Sequence, residues 1–427
     1  MADTTNTTTP PTLGAALAFW HRLGWISFGG PAGQIAIMQS ELVDRRKWIG
    51  QATFLHALNF CMLLPGPEAQ QLATYVGWRL HGWRGAVAAG GLFVLPGALV
   101  MFALSWLLAA RGSAPPVAAI LGGIKPVVIA IVVHAVWRIG SRALKGPPAF
   151  VLAALAFLAL YFGHVDFPLV ILAAGLIGAL SARLPVSPFL GASHGDAPDM
   201  PHPPLPRRWV LRLAGYAALF AMLWAVPVGV VLLLMGVEPF AAIARLFTSA
   251  AFVTFGGAYA VLPYIADAAV NDLHWLTAPE MVDGLALAET TPGPLILVLQ
   301  YVGFFAGWKH AGLHDPLLAA SVAALLTTYV TFLPSFLFIL AGAPYVEALR
   351  TLRWASSALG AITAAVVGVI LNLAVFLGAA VLVPAGHVDW LAVVVALVAF
   401  AALWRFHVAV HWLVVAGAAL GLLRLLL

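Results

Sequence analysis

Glu68 directly follows a Pro-Gly-Pro triplet, Pro65–Pro67, and Glu289 lies three residues before a second one, Pro292–Pro294. Both carboxyls stand inside long apolar runs. Burial there resists ionisation, so each could carry a proton. The plainer role is a carboxylate that caps a half-helix N-terminus or pairs with an arginine. The two are not equivalent positions, since Met62 and Leu295 occupy the reciprocal places. Neutral donors crowd the same stretches: Gln34, Gln39, Asn59, Gln70, Gln71, Thr290 and Thr291. They can hydrogen-bond an anion, or merely a neighbouring helix. Two cations are similarly placed, Arg22 in "FWHRLGW" and Lys125 in "GGIKPVV". Either Arg22 faces an anion or it snorkels to the interface; for Lys125 snorkelling is the simpler reading.

These side chains surround breaks in the apolar runs. "WISFGGPAG" (Trp25–Gly33) is echoed by "FVTFGGAYA" (Phe252–Ala260), and each is followed by one of the Pro-Gly-Pro triplets. Proline removes an N–H and glycine weakens a helix, so Gly29, Gly30 and Pro31, with Gly256 and Gly257, should unwind the backbone. Pro65, Gly66 and Pro67, with Pro292, Gly293 and Pro294, should do the same. In lipid the freed groups are tolerated only where protein or a water-filled cavity receives them. The N-termini of half-helices carry partial positive charge and unpaired N–H groups, which favour an anion. A single break would be read as close packing or a kink. Interrupted segments at corresponding places in both halves point instead to a transporter's binding site.

The elements that hold these breaks follow from composition. The 427 residues are 63% hydrophobic and only 9% charged, with a mean hydropathy of +0.99. A soluble chain would carry about a quarter charged residues, so the outer surface here must face lipid. The apolar runs are ~17–30 residues long without dyad alternation, which selects helices over a barrel. The expected fold is an all-α polytopic membrane protein in the bacterial cytoplasmic (inner) membrane. A lone Cys61 excludes an intramolecular disulfide and a cysteine-based metal cluster. The opening "MADTTNTTTPPT" lacks the basic region of a cleavable signal. A net charge of +5 reflects cytoplasmic loops rather than nucleic-acid binding.

The chain reads as two copies of one unit. Ser27–Gly30 matches Thr254–Gly257, Trp48 matches Trp275, and Pro65–Pro67 matches Pro292–Pro294, all at a separation of 227 positions. Tyr75 and Tyr301 open a repeated "YVG", and "FVLPG" near Pro96 meets "TFLPS" near Pro334. A polar tail (1–12) precedes the first repeat (13–182). A Pro-rich linker and one extra transmembrane helix (183–238) lead to the second repeat (239–427). Loops at equivalent places carry opposite charge bias: Arg45, Arg46 and Lys47 face an acidic counterpart, and Arg350 and Arg353 answer a lone Arg111. The positive-inside rule then predicts inverted repeats, with Lys309 and Arg424 as exceptions. In one arrangement, segments 13–42 and 52–80 each dip in and return, followed by four crossings near 85–110, 115–137, 147–163 and 166–182. In the other they are single broken spans.

"ELVDRRKWI" (Glu41–Ile49) is first of all a solvated positive-inside anchor; Arg45, Arg46 and Lys47 could also gather anions at a cytoplasmic mouth. Most tryptophans read as interface anchors. "GASHG" (Gly191–Gly195) fits a hydrolase pattern, but lies in the linker without the required strand and helix. No P-loop or H-E-x-x-H occurs, and His407 and His411 lack a third ligand nearby. No enzyme activity, metal or cofactor is expected.

"FGGPAGQIAIMQSELVDRRKWIG", "LNFCMLLPGPEAQQLATYVGW", "TFGGAYAVLPY" and "ETTPGP" resemble the chromate ion transporters, in their long two-domain bacterial form. The resemblance implies two inverted homologous halves and efflux of chromate, a tetrahedral dianion, conferring chromate resistance. It carries over Phe28 and Phe255 beside the glycines, and the residues of both Pro-Gly-Pro breaks with Glu68, Gln70, Glu289 and Thr290. Ala258 stands where the first copy has Pro31, so the site should be asymmetric. The expected partners are chromate and the bilayer, with a homodimer left open and no nucleic acid. Sulfate or a related oxyanion is the alternative substrate, and a non-transporting membrane sensor the more distant one.

Overall fold

The computed structural model describes residues 11–28, 30–184, 187–189, 209–343 and 353–426. Sixteen helices and no strands occur among the described residues. The first half holds α1 (Leu13–Ile26), α2 (Gly30–Gln39), α3 (Gln51–Leu63), α4 (Glu68–Arg111), α5 (Pro115–Ala143), α6 (Pro147–Tyr161) and α7 (Phe167–Ser181). After the connecting α8 (Trp209–Met235) come α9 (Phe240–Val253), α10 (Ala258–Asp267), α11 (Ala278–Thr290) and α12 (Val298–Lys309). The chain ends with α13 (Pro316–Gly342), α14 (Arg353–Leu382), α15 (Trp390–Phe406) and α16 (Val410–Leu426). Helices α4, α5, α8, α13 and α14 are long and apolar enough to cross a membrane. Most of the linker, with Gly191–Gly195, and Arg350 lie outside the described residues.

Local chemistry makes the breaks. Ser27 Oγ donates to the Leu23 carbonyl at 2.6 Å, and its counterpart Thr254 Oγ1 donates to Ala250 at 2.5 Å. Each hydroxyl bonds a carbonyl of its own last turn and disfavours a further one. Gly30 (φ +71°) and Gly257 (φ +95°) then take left-handed backbone that side chains disfavour. Pro31 sits in the first turn of α2, where its missing N–H costs nothing.

Helix α4 is a hairpin rather than a rod. It turns at His81 and Gly82, and Gly77 and Gly85 let the two arms approach until a side chain on either would strike the other's carbonyl. Gly90 of the long arm likewise faces Gln70 and Thr74 of the short arm. Helices α12 and α13 repeat this pairing, with Gly303 against Thr327 and Gly307 against Ala319.

The hairpin turn of α4 comes back to the start of α1, with His81 Nε2 2.8 Å from the Pro11 carbonyl. After α2 the chain also returns to α1: Arg46 lies over the Phe19 ring at 4.9 Å, and Trp48 packs edge-on against Phe19. The ends of segments 13–42 and 52–80 thus both lie beside α1, the proximity that the dip-and-return arrangement requires. In the second half His314 Nε2 lies 3.0 Å from the Met235 carbonyl, and Trp275 stacks on Phe247. Gly24, just before the first break, packs on Leu92 and Pro96, near the middle of the long arm of α4. The first break thus lies level with the middle of that arm.

Equivalent helices of the two halves meet reciprocally. The start of α5 packs on the end of α16 through Gly123, Gly417 and Gly421, and the start of α14 packs on the end of α7 through Ser357 and Gly178. Helices α5 and α14 run antiparallel, with Gly140 facing Val367 and Ile129 facing Gly378. Helices α6 and α7 fall within the two segments expected there and have 15 residues each, shorter than the ~20 that span hydrocarbon. A turn through Gly163–Asp166 divides that apolar run, and both pieces lie against α14. Helix α8 is largely exposed and joins the second half through Trp224 Nε1, which donates to Thr248 Oγ1 at 2.8 Å.

Candidate functional site

The two kinds of break are bonded to each other across the halves. The Gly66 N–H donates to the Thr254 carbonyl at 2.7 Å, and the Gly293 N–H donates to the Ser27 carbonyl at 2.9 Å. Each glycine of a Pro-Gly-Pro triplet thus satisfies a carbonyl freed at the other half's Phe-Gly-Gly break. Both glycines hold positive φ, +123° and +90°. Gly66 is packed beneath Ser335 and Gln71, and Gly293 beneath Gly97. Gly97 and Ser335 follow Pro96 and Pro334 in the matched sequence segments.

Between the breaks lies a small cavity lined by Pro31, Gln34, Pro67, Glu68, Ala69, Ala258, Pro294, Leu295 and Ile296. These residues form the first turn of α2, the first turn of α4, the start of α10, and the short 3₁₀ turn Leu295–Leu297 that leads into α12. Four half-helix N-termini, two from each half, converge on one point, each presenting the positive end of its dipole. The cavity measures about 10 Å³, roughly the space of one water. As it stands the space is too small for an oxyanion.

The polar side chains here come from the first half. Gln34 is fully buried; its Nε2 donates to the Gly293 carbonyl at 2.6 Å and to Ser27 at 3.3 Å, and its Oε1 has no partner. Gln71 Nε2 donates to the Pro65 carbonyl at 2.7 Å, and Gln70 Nε2 to Thr74 Oγ1 at 3.0 Å. The counterparts of Gln34, Glu68, Gln70 and Gln71 are Val261, Leu295, Leu297 and Val298. The cradle is therefore symmetric in backbone and asymmetric in side chains.

Other expected residues fall elsewhere. Thr290 Oγ1 donates to Ala286 and Leu287, and Thr291 Oγ1 to Ala288, so both hydroxyl protons are spent within their own helix. Phe28 is exposed beside the break, Arg22 is exposed on α1, and Gly29 lies outside the described residues. Gly256 (φ +81°) belongs to the second turn-out but does not line the cavity. Glu289 is also away from the lining and accepts a hydrogen bond from Tyr259 Oη. Arg45, Arg46 and Lys47 are exposed together. Burial opposes ionisation of Glu41, but hydrogen bonds and charge from Arg46 and Arg45 hold its carboxyl below the usual range.

Lys125 is not a snorkelling lysine. Its Nζ lies 3.3 Å from Asp283 Oδ2, pairing α5 of the first half with α11 of the second. Asp283 went unrecognised in the sequence because its counterpart is His56, outside the repeated motifs. The remaining signal was an acid in a half-helix, six positions before Glu289. A larger cavity of about 440 Å³ lies between α5, α15 and α16, with Asp389 and Arg424 in its lining. It is mostly apolar and contains no break residue, so the smaller cavity is the better candidate for an anion. No group of three metal-ligating side chains occurs among the described residues.

Comparison with known proteins gives a consistent result. The family model described as "Chromate transporter" matches residues 15–179 and 241–422. A chromate transport protein of Pseudomonas aeruginosa is 33% identical over 377 residues, covering 86% of this chain and 82% of the relative. That of Cupriavidus metallidurans is 28% identical over 420 residues, 98% of this chain and 94% of the relative. An uncharacterised transporter of Bacillus subtilis is 28% identical over 158 residues, only 36% of this chain but 89% of the relative. No solved structure matches.

Proposed function

Because the chain belongs to the chromate transporter family, a family of transport proteins matched over most of its length, we propose that it is a secondary transporter exporting chromate from the cytoplasm. The observation that carries the binding site is the convergence of four half-helix N-termini on the cavity beside Gln34 and Glu68. Backbone N–H groups supply donors to a tetrahedral dianion without burying a full counter-charge that would then have to release it. Thr254, Ser27, Gly66 and Gly293 hold the two halves together at this level, so the cradle opens by movement of one half against the other.

The inverted-repeat reading rests on the antiparallel run of α5 and α14 and on the reciprocal glycine bonds. Arg45, Arg46, Lys47, Arg79 and Arg84 follow the returning segments of the first half and mark the cytoplasmic side by their charge. The membrane in this reading is the bacterial inner membrane. With the inside negative, moving a dianion outward gains ~4.6 kcal/mol per 100 mV, twice the single-charge value. Such a gradient drives efflux without ATP. Glu68, in the cavity wall, is the better placed of the two carboxyls to exchange a proton with the anion.

Chromate uptake into inverted vesicles at imposed potential, with sulfate as competitor, tests this function. Potential-dependent uptake is expected. Its absence, or uptake of sulfate to the exclusion of chromate, contradicts the proposal.

A further inference from the structure

Helix α11 carries three acids, each held by a different partner. Glu280, near its N-terminus, pairs with Lys309 at 2.7 Å. Asp283, one turn further in, pairs with Lys125 at 3.3 Å. Glu289, near the break, accepts from Tyr259. The middle pair differs from the others. The side chain of Asp283 is only 9% exposed, and its Oδ1 has no hydrogen-bond partner. At 3.3 Å the contact is longer than the ~2.7–2.9 Å of a strong charge-assisted bond. Tyr301, the aromatic neighbour on α12, sends its hydroxyl to the Glu280 carbonyl instead.

A buried pair this poorly satisfied is weak evidence for stability, because apolar residues of the same size often do as well or better. Ionisable groups at membrane depth mark pathways for ions. The lysine also has capacity to spare: its ammonium has three N–H donors, and one carboxylate oxygen is its only ion-pair contact among the described residues. The pair stands eight residues before Thr291, which is roughly 12 Å along α11 from the break at a rise of 1.5 Å per residue. Beyond it, at the N-terminal end of α11, Lys309 of α12 meets Glu280.

We propose that Lys125 is a second station for the transported anion, and that Asp283 is the resident counter-ion that occupies this ammonium when no substrate does. The inference rests on the transport function proposed above and extends the path from the cradle toward the outer end of α11. Substrate and Asp283 compete for one cation, so the anion is held at this point without being trapped. Because Lys125 and Asp283 belong to different halves, the exchange also loosens a contact between them.

The test is chromate uptake into inverted vesicles, with protein level and thermal unfolding measured for every variant. Lys125→Met should lower uptake by on the order of tenfold or more, and Lys125→Arg should retain most of it. Asp283→Asn should lower the half-saturating chromate concentration by roughly three- to tenfold, since the competitor is gone. Lys125→Met alone leaves Asp283 unpaired and can misfold, so the decisive variant is Lys125→Met/Asp283→Asn, which removes both charges. It should fold and still fail to transport. Wild-type uptake by this double variant would overturn the proposal and leave the pair a structural contact. An unchanged or raised half-saturation in Asp283→Asn would overturn it too. Failure of the wild type to take up chromate would instead strike the proposed function.

Discussion

The Gly66 N–H donates to the Thr254 carbonyl at 2.7 Å, and the bond from Gly293 to Ser27 repeats it with the halves exchanged, the glycine 227 positions later and the carbonyl 227 positions earlier. Two orphaned carbonyls, one at each Phe-Gly-Gly break, are satisfied by the opposite half. Neither break can be closed without the other copy, which ties the local irregularity of each half to the assembly of both.

This relationship makes the two glycines unequal under substitution. An alanine methyl at Gly66 would lie 2.6 Å from Ser335 Oγ and 2.7 Å from Gln71 Nε2, on a backbone with φ +123°. At Gly293 the backbone is left-handed too, φ +90°, but the nearest atoms stand farther off, at 3.3 Å. Gly66→Ala should destabilise by about 1–3 kcal/mol and Gly293→Ala by less. Thermal unfolding of the purified protein in detergent checks the order.

Gln34 bridges the same junction, with its amide on the carbonyls of Gly293 and Ser27. Gln34→Leu fills the space but leaves a buried carbonyl short of a donor, at about 1–3 kcal/mol. Melting should fall, and chromate uptake should fall further than stability alone explains, because the lining loses its one amide. Uptake and unfolding measured on the same preparation separate the two effects.

Glu68 and Glu289 should behave differently although the sequence presents them alike. Glu68 lines the cavity, whereas Glu289 is bonded to Tyr259 away from it. Glu68→Gln should abolish the response of uptake to a proton gradient while potential-driven uptake persists. Glu289→Gln should keep that response, with a loss of stability that Tyr259→Phe reproduces. Uptake in which Glu68→Gln responds to the proton gradient as the wild type does would remove proton exchange through Glu68.

Much of this was legible in the residues. Glycine and proline mark backbone that cannot stay helical, so Gly30, Gly66, Gly257 and Gly293 located the breaks. The repeat register at Trp48 and Trp275 located their partners. The proximity of the ends of the broken segments to α1 was not legible, because hydropathy gives length and not direction; Arg46 on Phe19 and His81 at Pro11 show it. Thr290 and Thr291 looked like free donors, but a hydroxyl in a helix can satisfy itself on a carbonyl three or four residues back. Asp283 was hidden because a cross-half ion pair has no spacing in sequence.

The most direct test of the central claim is chromate uptake into inverted vesicles by Gly30→Leu and Ala258→Leu, one variant from each half of the cradle. Gly30 has open space around it and a left-handed φ, so leucine there disturbs the break without a collision. Ala258 is 3% exposed and lines the cavity, so leucine there occupies the place of the anion. Leu391→Ala, in the larger groove beside α5, serves as the control. Both cradle variants should lose uptake by on the order of tenfold or more at wild-type protein level, and the control should transport normally. Wild-type uptake by Gly30→Leu and Ala258→Leu would contradict an anion site between the four half-helix N-termini.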